Sequence, residues 1–161
     1  MIEVYNQVLS TDLIEEIKKY IRSQTKHRSN YTSWDHNIIN SSAPVLVFDI
    51  DGIIKDQIIT QLKNKINTVD WSKAQLMYYY WPRFSYIPWH NDGNNKQGIT
   101  IYMNEYWDKN WGGYFAYEID NKTECIKPEY NKAVKINTPL SHTVFSVNLD
   151  APVRETIQIF I

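Results

Sequence analysis

The stretch Tyr80-Trp-Pro-Arg-Phe-Ser-Tyr-Ile-Pro-Trp-His-Asn-Asp-Gly93 places an imidazole and a carboxylate two positions apart, at His90 and Asp92. Side chains alternate between the faces of an extended strand, so His90 and Asp92 share a face and Asn91 points away. One histidine and one carboxylate side by side supply two ligands of a mononuclear metal site. This stretch therefore predicts a metal site, if another part of the chain supplies a third ligand.

The third ligand is predicted from the run Leu140-Ser-His-Thr-Val-Phe-Ser-Val147, in which His142 opens an apolar strand. Two histidines and a carboxylate from separate strands form a facial triad, which leaves adjacent coordination positions open. Such a triad favours non-haem Fe(II) and chemistry with O₂, although zinc can accept the same ligands. We therefore predict His90, Asp92 and His142 as metal ligands.

The last apolar run, Val153-Arg-Glu-Thr-Ile-Gln-Ile-Phe-Ile161, has a cation near its start at Arg154. If this side chain points inward it requires an anionic partner, and a planar guanidinium suits a carboxylate bound through two hydrogen bonds. The alternative is a surface arginine paired with a neighbouring acid. The sequence by itself leaves both interpretations open.

Length and composition limit the classes of function. The chain has 161 residues and a formal charge of -1, which suits one domain and gives no electrostatic footprint for nucleic acid or an anionic membrane. Cys125 is the one cysteine, so no internal disulfide is expected. We see no signal peptide and no apolar run long enough to span a membrane, and we expect a cytoplasmic protein. The oligomeric state is not indicated.

Hydrophobic periodicity predicts two helices and then a β-rich core. Helices are expected over 12–22 and 53–66, because isoleucines and leucines recur there at helical spacing. Short apolar runs separated by turn signals predict a series of strands, near 3–9, 44–50, 75–81, 86–91, 98–104, 113–118, 133–137, 142–147 and 153–160. We expect one domain over 1–161, with a helical region over 1–74 packed on one face of an antiparallel double sheet over 75–161.

A competing motif occurs at Val47-Phe-Asp-Ile-Asp-Gly52. It resembles the first motif of haloacid-dehalogenase-type phosphatases, in which Asp49 would be the nucleophile and Asp51 the general acid. That family usually has Thr or Val where Ile53 stands here. It also needs an acidic pair on a later strand and repeated strand–helix units, and neither follows residue 66. The phosphatase remains a distant alternative.

Taken together, the motifs resemble those of the 2-oxoglutarate- and Fe(II)-dependent oxygenases, in the prolyl 4-hydroxylase-like branch. The resemblance covers roughly residues 75–161. It rests on several elements in the family's order: Tyr80 ten residues before His90, the His90-Asn-Asp92 motif, Gly98-Ile-Thr-Ile-Tyr-Met-Asn104, Trp107 with Gly112-Gly113, His142-Thr-Val-Phe-Ser-Val147 and Arg154-Glu-Thr156.

The resemblance implies a double-stranded β-helix, which is a jelly-roll or cupin-like fold, with a function for each matching residue. His90, Asp92 and His142 would bind Fe(II). Arg154 would pair with the distal carboxylate of 2-oxoglutarate. Three further side chains would assist: the hydroxyls of Tyr102 and Thr156, and Tyr80 as a hydrogen-bond donor or pocket wall. Of the aromatic residues Tyr78, Tyr79, Tyr80, Trp81 and Tyr102, about half are expected to line the pocket.

The implied reaction is hydroxylation of an unactivated C–H bond, with O₂ consumed and succinate and CO₂ released. A peptidyl proline is the implied substrate; a free amino acid or another small molecule is the alternative. A non-catalytic jelly-roll binding module with a degenerate or zinc-filled site is a further alternative. The long spacing between His142 and Arg154 predicts a bulge or longer turn at 150–152. Specificity is expected in the loops 23–42, 81–86 and 105–111.

Overall fold

The computed structural model describes residues 2–32, 34, 38, 43–93, 97–137 and 139–161. The loop predicted over 23–42 lies partly outside these ranges, at positions 33, 35–37 and 39–42. The described strands are β1 (Ile2–Asn6), β2 (Arg28–Ser29), β3 (Leu46–Asp49), β4 (Gln75–Trp81), β5 (Ile87–His90), β6 (Gln97–Tyr102), β7 (Phe115–Ile119), β8 (Lys122–Ile126), β9 (Lys132–Asn137), β10 (His142–Val144) and β11 (Arg154–Phe160).

Both predicted helices are confirmed. Helix α1 spans Thr11–Ser23 and begins after Ser10, whose side-chain oxygen accepts a hydrogen bond from the Leu13 backbone nitrogen at 3.3 Å. Helix α2 spans Gly52–Lys63 and ends three residues earlier than predicted. Both bury an aliphatic stripe on the sheet, as their periodicity requires. Neither described helix is long and apolar enough to cross a membrane.

The strands form two antiparallel sheets. The large sheet has the order β1-β9-β6-β11-β4-β3-β2, and the small sheet has the order β5-β10-β7-β8. Most predicted strands are confirmed within a few residues at their ends. Two were not predicted: β2 has only two residues, and β8 exposes most of its side chains and so lacks an alternating apolar pattern.

The two faces of the large sheet have different coverings. On β11, Ile157 and Ile159 pack with the residues of α1 and α2, on what we call the helix face. Thr156 and Gln158 alternate with them and point to the opposite side, which we call the inner face, toward the small sheet. The inner face carries the second apolar cluster and the predicted site residues. This arrangement of two antiparallel sheets and flanking helices confirms the predicted fold class.

The connection from β10 to β11 contains the predicted turn. The Ala151 backbone nitrogen donates to the Asn148 carbonyl at 3.2 Å. A bulge was expected at this connection as an alternative to the turn. An irregularity is instead present where β10 pairs with β5, with His142 opposite His90 and Val144 opposite Ile87. Three residue steps on β5 thus match two on β10, and this bulge points both Ile87 and His90 inward.

Candidate metal centre

Strands β5 and β10 bring the three predicted ligands together at the edge of the small sheet. His90 and His142 are direct cross-strand partners, and their ring centroids are 4.2 Å apart. Asp92 follows β5 by two residues, and its two carboxylate oxygens each lie 3.7 Å from an imidazole Nε2, one on His90 and one on His142. One ligand atom from each residue lies within 4.8 Å of the others. The three side chains can therefore hold one metal ion.

Backbone carbonyls fix the protonation of both imidazoles. The Nδ1 of His90 is 2.7 Å from the Pro88 carbonyl oxygen, and the Nδ1 of His142 is 2.9 Å from the Leu140 carbonyl oxygen. A carbonyl only accepts, so each Nδ1 carries the proton and each Nε2 presents a lone pair toward Asp92. Burial, followed by the neighbouring His142, lowers the pKa of His90 and favours its neutral form. A neutral imidazole is the form that binds metal.

The metal ligands line a cavity of about 470 Å³ between the two sheets, which we call the site cavity. Its inner end is apolar, with Ile87, Phe115 and Val144. Its outer end carries several polar side chains, namely Lys73, Gln75, Asn91 and Gln97, and Trp34 and Ile38 also line the cavity. Of the loops expected to hold specificity, 23–42 thus contributes two residues to the described lining. Loop 81–86 contributes only Trp81, and loop 105–111 contributes none.

The strand register arranges the inner face in successive rows from the outer end of the cavity to its interior. Phe160 pairs with Gln75 and Gly98 at the outer end, where a side chain at Gly98 would approach a carboxylate oxygen of Asp92. Two rows further in, Thr156 lies between Tyr79 and Tyr102. The innermost row pairs Arg154 with Trp81. The predicted anion-binding residues therefore lie deeper than the metal ligands, on the opposite sheet.

Arg154 is fully buried, which excludes the surface ion pair left open by the sequence. By distance and angle, its three guanidinium nitrogens and the hydroxyl of Tyr102 make no hydrogen bond with the described residues, although the hydroxyl lies near enough to interact with the guanidinium. The guanidinium carbon lies 5.0 Å from the centroid of the Trp81 ring and 5.3 Å from that of Tyr102. Gly113, at φ +64°, makes room for it, because a Cβ there would stand 2.8 Å from the Arg154 Cδ.

Unpaired buried donors of this kind are rare, because each costs the full desolvation of a polar group. Burial lowers the pKa of Arg154, but an arginine remains charged near neutral pH. Burial also raises the pKa of Tyr102, so its hydroxyl keeps the proton that it can donate. A fork of charged donors next to a neutral hydroxyl is complementary to a carboxylate, so these residues fit a carboxylate-bearing cosubstrate.

The remaining predicted residues have different positions. Thr156 lies on the inner face, and its Oγ1 accepts hydrogen bonds from the Trp81 Nε1 at 3.0 Å and from the Gln158 Nε2 at 3.3 Å. Tyr80 lies on the helix face, with its ring centroid 5.1 Å from that of Phe48. The expectation that Tyr80 lines the cosubstrate pocket is therefore wrong, because strand alternation turns it away from the site.

The aromatic residues of β4 divide in the same way. Tyr78 and Tyr80 lie on the helix face, and Tyr79 and Trp81 lie on the inner face and line the cavity. Trp34 is a cavity residue that the sequence did not single out; its Nε1 donates to the Tyr79 hydroxyl at 3.2 Å. No local pattern identified it, because it belongs to a loop without periodicity.

The residues of the competing phosphatase motif are not arranged as a site. Asp49 forms an ion pair with Arg28, and Asp51 stands at the N-cap of α2. Neither lines the site cavity within the described residues. The antiparallel sheets also differ from the parallel α/β fold that this alternative requires. The motif is a strand followed by a helix start.

No protein-family model and no curated protein matches this sequence. Solved structures do match its fold. A prolyl-4-hydroxylase from Pseudomonas putida has a TM-score of 0.74 at 14% identity, over 99% of this chain and 91% of that one. A prolyl hydroxylase from Trichoplax adhaerens, in complex with a peptide fragment of hypoxia inducible factor, has a TM-score of 0.68 at 15% identity, over 99% and 82%.

A third match is HygX from Streptomyces hygroscopicus, with nickel and 2-oxoglutarate bound, at a TM-score of 0.68 and 8% identity, over 99% of this chain and 81% of that one. The matches extend over nearly the whole chain, and together with the two antiparallel sheets they confirm the predicted jelly-roll fold. At these identities the likeness concerns the fold.

Proposed function

We propose that this protein is a 2-oxoglutarate- and Fe(II)-dependent dioxygenase that hydroxylates an unactivated C–H bond, with peptidyl proline as the favoured substrate. The observation that carries the proposal is the unpaired Arg154 and Tyr102, deep on the inner face beyond the cavity that holds His90, Asp92 and His142. A metal site alone would suit many reactions. A metal site with a buried carboxylate anchor beyond it suits a cosubstrate that bridges the two.

Each part of the site has a physical task. The Nε2 atoms of His90 and His142 and the carboxylate of Asp92 would hold Fe(II), and the Asp92 charge would offset part of the metal charge. When bound, Fe(II) and 2-oxoglutarate supply the activation of O₂, with succinate and CO₂ as products. Arg154 and Tyr102 would fix the direction of the cosubstrate through charge-assisted hydrogen bonds.

The walls of the cavity would protect this chemistry from water. Ile87, Phe115 and Val144 surround the inner part of the cavity, next to the metal ligands, and all three are at most 8% exposed. An apolar surrounding strengthens the electrostatic contacts of the cosubstrate and limits side reactions. The outer end of the same cavity is polar and would receive the substrate.

A peptide is the substrate class that the outer end favours. Gln75, Asn91 and Gln97 line it, and their carboxamides can both donate to and accept from a peptide backbone. Trp34 adds an aromatic surface further in, beside Tyr79 and Trp81, against which a pyrrolidine ring could pack. The Trichoplax adhaerens neighbour, which is a prolyl hydroxylase bound to a peptide, supports this choice.

The test is succinate release by Fe(II)-loaded protein with 2-oxoglutarate, screened against proline-containing peptides, free proline and other free amino acids. We expect turnover with at least one proline-containing peptide. His142→Ala should abolish metal binding and turnover. His27→Ala is the matched control, because His27 contacts the Phe48 ring outside the cavity, and it should retain both. Well-folded protein that binds neither Fe(II) nor 2-oxoglutarate would refute the proposal; turnover of free amino acids alone would replace the peptide substrate.

A further inference from the structure

The site cavity ends at Trp81, before it reaches the anion-binding residues. Trp81 lines the cavity, whereas Arg154 and Tyr102 are absent from the lining formed by the described residues. The Arg154 guanidinium lies behind the Trp81 ring, 5.0 Å from its centroid, and is 0% exposed. A carboxylate in the cavity therefore meets an indole where the proposed function needs it to meet a guanidinium.

Two polar contacts hold the indole in this position. Its N–H donates to the Thr156 Oγ1 at 3.0 Å, across the register that pairs β4 with β11. Its π face lies over the Arg154 cation, within the distance at which a cation–π attraction operates. Both contacts would be disturbed by any ligand that reached Arg154 from the cavity side.

The cation–π contact between Trp81 and Arg154 stabilises the buried charge. It offsets some of the cost of burying a guanidinium whose five N–H groups find no acceptor among the described residues. A carboxylate would offset that cost better, because two charge-assisted hydrogen bonds are stronger than a ring face. A bound carboxylate would therefore replace the stabilisation that the Trp81 ring provides to the guanidinium.

The buried ring of Trp81 borders open space on its cavity side. Its neighbours on that side are the rings of Tyr79 and Trp34, at centroid distances of 5.9 Å and 5.8 Å, in tilted contacts rather than interlocked ones. The cavity next to it has a volume of about 470 Å³. On the Arg154 side the packing is tight, because a Cβ at Gly113 would stand 2.8 Å from the Arg154 Cδ and 3.3 Å from the Val147 Cγ2.

We propose that Trp81 is a positioning residue that covers Arg154 in the ligand-free protein and turns toward the cavity when a dicarboxylate binds. This inference rests on the proposed function, because it assumes that a cosubstrate carboxylate pairs with Arg154. Cosubstrate binding then includes the cost of displacing the indole from Thr156. The apparent affinity equals the intrinsic affinity multiplied by the fraction of molecules in which Arg154 is uncovered.

The first test is the affinity of Zn(II)-loaded protein for 2-oxoglutarate, measured by titration calorimetry, since zinc accepts these ligands without turnover. Trp81→Phe keeps a ring over Arg154 but removes the hydrogen bond to Thr156. We expect it to bind 2-oxoglutarate roughly fivefold more tightly, the factor that one net hydrogen bond provides. Trp71→Phe is the matched control: that indole is also buried and donates to a backbone carbonyl, of Ile66, but lies on the helix face. Its affinity should equal that of the wild type.

The second test needs no substitution. The indole N–H resonance of Trp81, assigned sequentially in the Zn(II) protein, should shift and exchange faster with solvent when 2-oxoglutarate saturates the site; that of Trp71 should not change. Unchanged or weaker binding by Trp81→Phe, or an unmoved Trp81 resonance in wild type that binds 2-oxoglutarate, would overturn the inference and leave the proposed function standing. Failure of folded wild type and Trp81→Phe alike to bind 2-oxoglutarate would overturn both.

Discussion

Each face of the large sheet buries a cation, and the two cations have opposite surroundings. Lys135 on the helix face is 1% exposed, and its Nζ donates to the Glu3 Oε1 at 3.0 Å and to the Thr68 Oγ1 at 2.6 Å. Arg154 on the inner face is 0% exposed and has no hydrogen-bond partner in the described parts of the chain. The described residues thus supply a counter-ion for one buried charge and none for the other.

Under the proposed function, the difference separates a structural charge, Lys135, from a ligand-binding charge, Arg154. Glu3 also accepts from Asn137 and Tyr5, so the network around Lys135 is closed and ties the edge strand β1 to β9. An uncompensated buried charge costs several kcal/mol, which a protein of ordinary stability can carry only when something else requires it. Under the proposed function, that requirement on the inner face is the carboxylate of the cosubstrate.

The largest effect should come from Arg154→Met. A buried, bidentate charge pair contributes about 3 kcal/mol or more, so 2-oxoglutarate binding to the Zn(II) protein should weaken by roughly 100-fold or more. The free protein should become more stable, by about 1–3 kcal/mol, because an unpaired charge is replaced by an apolar side chain of similar length. Calorimetry and urea unfolding measure the two effects. Arg154→Lys keeps the charge without the planar guanidinium, and its affinity for 2-oxoglutarate should lie between those of the wild type and Arg154→Met.

A decrease in the stability of Arg154→Met would contradict the comparison, because it would mean that the guanidinium already has a partner in the free protein. Unchanged affinity would remove the carboxylate anchor from the proposed function.

Lys135→Met should have the opposite effect. It removes the cation from Glu3 and the donor from Thr68, and we expect a loss of about 2 kcal/mol of unfolding free energy. This is below the usual cost of breaking a buried pair, because the Glu3 side chain is 28% exposed and can be hydrated. Binding of 2-oxoglutarate should not change. Urea unfolding and calorimetry on the same sample check both, and a stabilised Lys135→Met would show that the two faces do not differ.

Most of the fold and the candidate metal site could be predicted because they rest on local patterns. The aliphatic spacing of α1 and α2 and the apolar runs of β4, β6 and β11 are readable at short range. His90 and Asp92 lie in one short stretch, and His142 opens a recognisable strand. The sequence indicated where these strands lie along the chain, but only the structure shows the pairing that brings the three side chains together.

What could not be predicted depends on register and face. Tyr80 was selected by its distance from His90 along the chain, and a shift of one residue moves a strand side chain to the other face of the sheet. Trp81, its neighbour, holds the inner position opposite Arg154. Similarly, the closed network of Lys135 and Glu3 joins residues far apart in the chain, and neither residue has a local signal that distinguishes it from a solvated surface charge.

Substitution of one tyrosine on each face should distinguish the two faces by a smaller change in 2-oxoglutarate affinity. Tyr102→Phe removes a buried hydroxyl that has no partner in the described structure but stands ready for a carboxylate. It should weaken 2-oxoglutarate binding roughly tenfold, the usual size of one hydrogen bond to a charged group. Tyr80→Phe is the matched control on the helix face and should bind as the wild type does. If Tyr80→Phe weakened binding and Tyr102→Phe did not, the assignment of the two faces would be wrong.

The smallest effect concerns how the network around Lys135 and Glu3 changes the stability of the fold at acid pH. Hydrogen bonds from Tyr5, Lys135 and Asn137 lower the pKa of Glu3 from 4.5 to about 2. A lowered carboxyl pKa stabilises the fold fully above pH 4.5, and this contribution is lost as the pH falls from there through about 2. Because solvent screens the partly exposed carboxylate, we expect about 1 kcal/mol of pH-dependent stability, measured by urea unfolding between pH 6 and 2.

Glu3→Gln, which keeps a hydrogen-bonding side chain of the same length but cannot titrate, should lose this part of the pH dependence. The inner face should contribute nothing comparable, because Arg154 and Tyr102 both titrate far above this range. A wild type and a Glu3→Gln variant with parallel acid profiles would mean that the counter-ion of Lys135 is not Glu3.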